Sequence, residues 1–229
     1  AALAILAAAA VPLHADYIDD DISKQMQEKN IPGLTLGIIK DGRIITCKAY
    51  GLASIELDVP ASTGTVYQLA STTKSFTICS IYKLYEDGKL DLDDSIAEFL
   101  PDLPEAWAGV TVRHCISHSS GLPPIFENSW SVPEEKTRSD VLEKAFKKEM
   151  VSAPGEKIAY NQTGYVLLGM IIEKITGMGF EDFLQHAFFD PLGMTSTQFG
   201  DYREIIKDRT SMYTRIESFD EGRVTISED

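Results

Sequence analysis

Residues 67–88, YQLASTTKSFTICSIYKLYEDG, decide how the rest of the chain is read. From Thr72 the run is apolar nearly all round, through Phe76, Ile78, Cys79, Ile81 and Leu84, and Gly88 is a good C-terminal stop. The pattern predicts a buried central helix that begins at Ser71. Ser-x-x-Lys occurs in it twice, at Ser71–Lys74 and at Ser80–Lys83, so the pattern carries little by itself. Position separates the two. At a helix start, orphan N–H groups and the positive end of the dipole favour developing negative charge around Ser71. Lys74 falls on the same helical face and can reach Ser71 Oγ. Ser80 lies roughly 13 Å further along the axis and reads as a packed helix residue. Serine is a poor nucleophile until a neighbour takes its proton, which a desolvated lysine can do and an ammonium cannot. These residues alone serve equally well a reading in which Ser71 caps the helix and Lys74 extends to water.

Upstream, residues 17–30 carry Ile18, Ile22 and Met26 on one stripe and read as an amphipathic helix stopped by Pro32-Gly33. LTLGIIK and RIITCKAYG are β-rich runs joined by Asp41-Gly42, a strong hairpin signal. Downstream come short helical pieces separated by Pro101, Pro104, Pro123 and Pro133, then a polar helix over about 138–148. A second apolar helix is expected from about Gly164 to Gly177, and FEDFLQHAFF gives a shorter one ending at Asp190-Pro191. His186 inside it reads as structural. Beyond Phe199 the sequence is polar and weakly patterned.

YQLASTTKSFT resembles the first motif of the serine β-lactamase, D-alanyl-D-alanine carboxypeptidase and esterase superfamily. Three further segments resemble it in the expected order: Ser117-His118-Ser119-Ser120-Gly121-Leu122-Pro123, then AYNQTGYVLLGMIIEKITG from Ala159, then PLGMTST from Pro191. The resemblance runs from about Ile31 to Phe199. It implies an α/β fold of the serine β-lactamase and penicillin-binding-protein type, with an antiparallel sheet packed against a mostly helical region and the active site between them. It also implies that Ser71 forms an acyl-enzyme, and that Lys74 and Tyr160 jointly handle its proton. The family usually has Asn two residues after that tyrosine. Here the residue is Gln162, expected to bind substrate with its amide displaced by a methylene. The third motif of the family, Lys or His followed by Thr or another residue and then Gly, has only a poor match in Lys174-Ile175-Thr176-Gly177. The remaining strands find no counterpart before Asp229, so the reading is of a partial domain over 16–229 that is inactive alone. The expected chemistry is acyl transfer to water from a β-lactam, D-amino-acid peptide or small ester, without cofactor or metal. The alternative is a non-catalytic relative that binds cell-wall peptides or a protein.

The resemblance implies a small-molecule or peptide substrate, which composition alone does not identify. Of 229 residues, 21 are basic and 35 acidic, a net charge of −14 that argues against nucleic acid and anionic membranes as partners. Oligomeric state is not legible. AALAILAAAAVPLHA at 1–15 resembles a truncated signal peptide with Ala15 before the cut, and implies a secreted or periplasmic protein. Cys47, Cys79 and Cys115 each sit in apolar runs and are expected to be three buried thiols, with one disulfide and one free thiol as the alternative. His114 and His118 are four apart without an HExxH pattern, and a metal site is not expected; turn stabilisation suits His118 better. No GxSxG elbow holds a serine for a Ser-His-Asp triad. Asn161-Gln162-Thr163 fits a glycosylation acceptor but reads as accidental, because a glycan there would block the cleft.

Overall fold

The structure, a computed structural model, describes residues 15–125, 137–200, 204–213, 216–220 and 223–226. Two compact units emerge, one of residues 1–68 with 200–229 and one of residues 69–199. Of the stretch 1–15 expected to be a signal peptide, residues 1–14 lie outside the described residues, and Ala15 opens the first helix.

In the first unit, helix α1 (Ala15–Lys29) precedes strands β1 (Gly33–Lys40), β2 (Arg43–Ser54) and the short β3 (Val59–Pro60). The sheet is antiparallel in the order β1-β2-β3, with a register shift between Ile38 and Ile39. Asp41 and Gly42 join β1 to β2 with φ of 50° and 71°, the backbone a type I′ turn demands and the reason this dipeptide marks a hairpin. Asp19 of α1 ties helix to sheet by accepting from Lys48 Nζ and Tyr50 OH, each at 2.6 Å. Past Phe199, where no strand was expected, β4 (Ile216–Asp220) and β5 (Arg223–Ile226) pair antiparallel. More than half of their residues are polar or charged, so neither run stands out as a hydrophobic strand; pairing between them supplies what composition does not.

The second unit is helical: α2 (Thr73–Glu86), α3 (Ile96–Phe99), α4 (Val112–Ile116), α5 (Arg138–Phe146), α6 (Gln162–Thr176) and α7 (Phe180–Leu184). Helix α6 forms its centre, with Leu167, Leu168, Ile171 and Ile172 fully buried at the i, i+1, i+4, i+5 spacing that keeps one broad face inward. Trp107, Ile81, Leu84 and Ile96 join the same core. Arg138 of α5 donates two bonds to the Glu173 carboxylate of α6, at 2.7 and 3.0 Å.

Helix α2 corrects the expectation of burial all round. Thr77, Ser80, Ile81 and Leu84 are buried, a single stripe at helical spacing. Cys79 lies off that stripe and is exposed. Cys47 on β2 is exposed as well, so Cys115 alone of the three thiols is buried. Desolvation there pushes its pKa up to about 12. The apolar neighbours of Cys47 and Cys79 in sequence belong to other faces of their elements, which a run-based reading merges. His186 is exposed too, 3.7 Å from Asp190 across one helical turn. The backbone over 185–189 is a π-helical turn, which rotates His186 away from the buried Phe183, Leu184 and Phe189.

Candidate active site

Ser71 is the middle residue of a 3₁₀ turn, Ala70–Thr72, that runs directly into α2. Ala70 before it has a φ of 44°, a left-handed conformation that costs an L-residue about 1–3 kcal/mol and recurs where the fold must present a reactive group. Ser71 itself is exposed, and its N–H belongs to the start of the helical run, where N–H groups lack intrahelical acceptors. Lys74, one turn on and half-buried, donates to Ser71 Oγ at 3.3 Å.

The third group arrives from far along the chain. Tyr160, in the irregular segment ahead of α6, places its hydroxyl 2.7 Å from Ser71 Oγ. Lys74 Nζ stands 4.8 Å from the centre of the Tyr160 ring and 5.4 Å from that of Tyr165. The expected Ser71, Lys74 and Tyr160 are therefore brought together. Desolvation pushes the Tyr160 pKa up, but the Lys74 side chain, the bond to Ser71 and the nearby Gln162 side chain outweigh it. The net result lies below the ordinary tyrosine value. A phenol so placed exchanges a proton with Ser71 Oγ more readily than a free one.

Gln162, at the first position of α6, lies close enough to Tyr160 to act on its hydroxyl. Asn161 caps that helix: its Oδ1 accepts from Gly164 N–H at 2.9 Å, and its Nδ2 donates to Leu122 C=O at 2.8 Å. Both ends of a buried amide are thus engaged within the fold, and the side chain of Asn161 is turned inward rather than offered to a glycan. Asn161 carried a legible signal as a cap residue ahead of an apolar run, but the glycosylation pattern over the same residues obscured it.

Three residues were missed as parts of the site: Ala70, Tyr165 and His118. Tyr165 donates to Ile116 C=O at 3.0 Å and lends its ring to the wall beside Lys74. His118, expected only to stabilise a turn, has a φ of 56° and stacks on Tyr165 with ring centres 4.9 Å apart. Among the described residues no cluster of His, Cys, Asp and Glu is arranged to hold a metal ion.

The competing Ser80–Lys83 pair is elsewhere engaged. Ser80 is fully buried and donates to Phe76 C=O at 2.7 Å within the helix, while Lys83 is exposed near Asp87 at 3.7 Å. Ser80→Ala and Lys83→Ala are expected to leave the turnover of the intact protein within about threefold, as changes away from reacting atoms do. Steady-state ester hydrolysis checks this, and a large loss in Lys83→Ala would move the site to the wrong pair.

The family model described as Beta-lactamase matches residues 18–223. Protein flp of Staphylococcus aureus is 32% identical over 187 residues, which are 80% of this chain and 38% of flp. Among solved structures, the octameric penicillin-binding protein homologue from Pyrococcus abyssi superposes with a TM-score of 0.75 at 33% identity, covering 93% of this chain and 50% of that one. The D-amino acid amidase from Ochrobactrum anthropi SV3, complexed with L-phenylalanine amide, gives a TM-score of 0.77 at 29% identity, covering 92% of this chain and 61% of the other. The chain thus spans less than two thirds of the length of each of these three relatives.

Proposed function

The chain belongs to the Beta-lactamase family, and from that premise we propose that the protein is a serine hydrolase working through an acyl-serine intermediate. The observation that carries this is the convergence of Lys74 Nζ and Tyr160 OH on Ser71 Oγ, at 3.3 and 2.7 Å. The Lys74–Tyr160 pair takes the Ser71 proton as Oγ attacks a carbonyl carbon. The carbonyl oxygen becomes an oxyanion, for which the Ser71 N–H at the helix start is one donor. On collapse, Tyr160 returns the proton to the departing nitrogen or oxygen, leaving an ester on Ser71. Water then attacks the ester along the same path, giving its proton to the pair, which passes it to Ser71 Oγ as the C–Oγ bond breaks and the acid leaves. Gln162, beside the Tyr160 hydroxyl, is suited to hold the substrate amide.

The substrate class we propose is a β-lactam, a D-amino-acid peptide or a small ester. The exposed Ser71, approached by Lys74 and Tyr160, leaves its Oγ open to an acyl group. The leader-like sequence over 1–15 supports export, to the outside of the cell or the periplasm. Treating the intact protein with a fluorophosphonate or penicillin probe and measuring its mass tests the proposal. One adduct, mapped to Ser71 and lost in Ser71→Ala, is expected. An unmodified, folded protein under both probes would sink it in favour of a relative that binds without catalysis.

A further inference from the structure

Tyr160 is 60% exposed and belongs to no helix or strand, so neither core packing nor a hydrogen-bond ladder holds its hydroxyl on Ser71. A single residue does much of that holding. The C=O of His118 accepts from Ala159 N–H at 2.8 Å, and its imidazole Nδ1 accepts from Asn161 N–H at 3.0 Å. These are the residues on either side of Tyr160. The imidazole also lies against the Tyr160 ring, with centres 4.7 Å apart, and stacks on Tyr165. Positive φ at His118 turns its carbonyl and its ring toward the same segment. An Nδ1 that accepts must be unprotonated, so the ring is the neutral tautomer with its proton on Nε2.

We propose that His118 is a positioning residue for Tyr160 that works only as neutral imidazole, so that its protonation loosens Tyr160 from Ser71 and adds an acid limb to acyl transfer. This rests on the serine-hydrolase reading for its kinetic consequence, though not for its geometry. A second proton on the ring would convert Nδ1 from acceptor to donor, facing the Asn161 N–H across a broken bond. The titratable groups around His118 are Lys74 on α2, Tyr160 ahead of α6, Tyr165 on α6 and Cys115 on α4. Burial keeps Cys115 and Tyr165 neutral, each pushed above its ordinary pKa. His114 on α4 is engaged apart, accepting from Thr111 N–H. Burial, and then the charge of Lys74, hold His118 below the ordinary histidine value, and the N–H of Asn161 acts in the same sense because only the neutral ring can accept it. The sign follows: the positioned state is complete above about pH 6.5 and is lost as pH falls through the lower value in the fold.

Two substitutions separate the parts. His118→Asn retains an acceptor oxygen and tolerates positive φ, but does not titrate. His118→Phe keeps a ring and removes the acceptor. For p-nitrophenyl acetate and the intact protein, His118→Phe is expected to lower kcat about 10²-fold with KM changed by no more than about twofold, since the reacting group is misplaced while the cleft remains. His118→Asn should keep more of kcat than His118→Phe. Below the His118 midpoint, the wild-type rate should fall about tenfold per pH unit more steeply than that of His118→Asn. The wild-type acid slope in His118→Asn would overturn the proposal, as would wild-type kcat in a folded His118→Phe. If His118→Phe does not fold, the slope comparison decides alone. A third readout is free of catalysis: in labelled protein, the Tyr160 ring resonances should shift with the same midpoint as the His118 imidazole nitrogens. Tyr160 resonances indifferent to that titration would reject the positioning role. Failure of the wild type to acylate at any pH would reject only the serine-hydrolase reading.

Discussion

Lys74→Ala and Tyr160→Phe are each expected to reduce ester turnover by ~10²–10⁴-fold, the worth of a positioned acid–base group. The two groups meet on one atom, Ser71 Oγ, at 3.3 and 2.7 Å. Tyr160→Phe removes the hydroxyl and keeps the ring against His118 and beside Lys74, so the loss reports proton transfer rather than collapse of the wall. Lys74→Ala removes both the bond to Ser71 and the charge that brings the Tyr160 pKa down. Its effect should therefore include a shift of the remaining rate toward higher pH, as Tyr160 returns toward the ordinary phenol value. Groups acting on one proton are not additive, so the double substitution should cost little more than the worse single one. A pH–rate series on the intact protein and the three variants checks all of this. Additive losses would mean that Lys74 and Tyr160 serve separate steps.

Gly121→Ala is expected to destabilise the protein by about 2–6 kcal/mol, combining ~1–3 for a left-handed non-glycine backbone with ~1–3 for forced displacement of a packed neighbour. Gly121 has a φ of 68°, and a Cβ there would stand 2.1 Å from Ser152 C=O. That neighbour is backbone, and the two strands of chain are bonded at the same place by Val151 N–H to Gly121 C=O at 2.8 Å. The chain can relieve the clash only by breaking that bond. The segment that would move also carries Leu122 and Pro123, which accept from Asn161 and Thr163 at the start of α6. Denaturant unfolding measures the loss, and Tyr160 should be displaced before the core of α6 opens. Stability within about 0.5 kcal/mol of wild type, the range of an ordinary surface change, would show that the turn yields more easily than its geometry implies.

The parts of this protein legible in sequence are those set by local pattern. The β1–β2 hairpin follows from two β-rich runs around Asp41-Gly42. The α6 helix follows from the apolar run expected from about Gly164 to Gly177, whose φ of 69° ends it, while its start at Gln162 under the Asn161 cap came from the structure. Lys74 could be placed near Ser71 because helical spacing alone brings a side chain one turn away within reach. Tyr160 came through resemblance, since nothing local ties it to a serine 89 residues earlier. Tertiary structure decided the rest. It decided which stripe of α2 is buried, because an apolar run does not say which face will meet a neighbour. It decided the fates of Cys47, Cys79 and His186 for the same reason. It also paired β4 with β5, where antiparallel pairing rather than composition makes a strand. Above all it decided His118: its grip on Ala159 and Asn161 needs a positive φ at one place and an irregular segment some 40 residues later to coincide. Sequence states the residues that do chemistry when spacing along one element brings them together. Which residues hold them there is fixed only when distant segments pack.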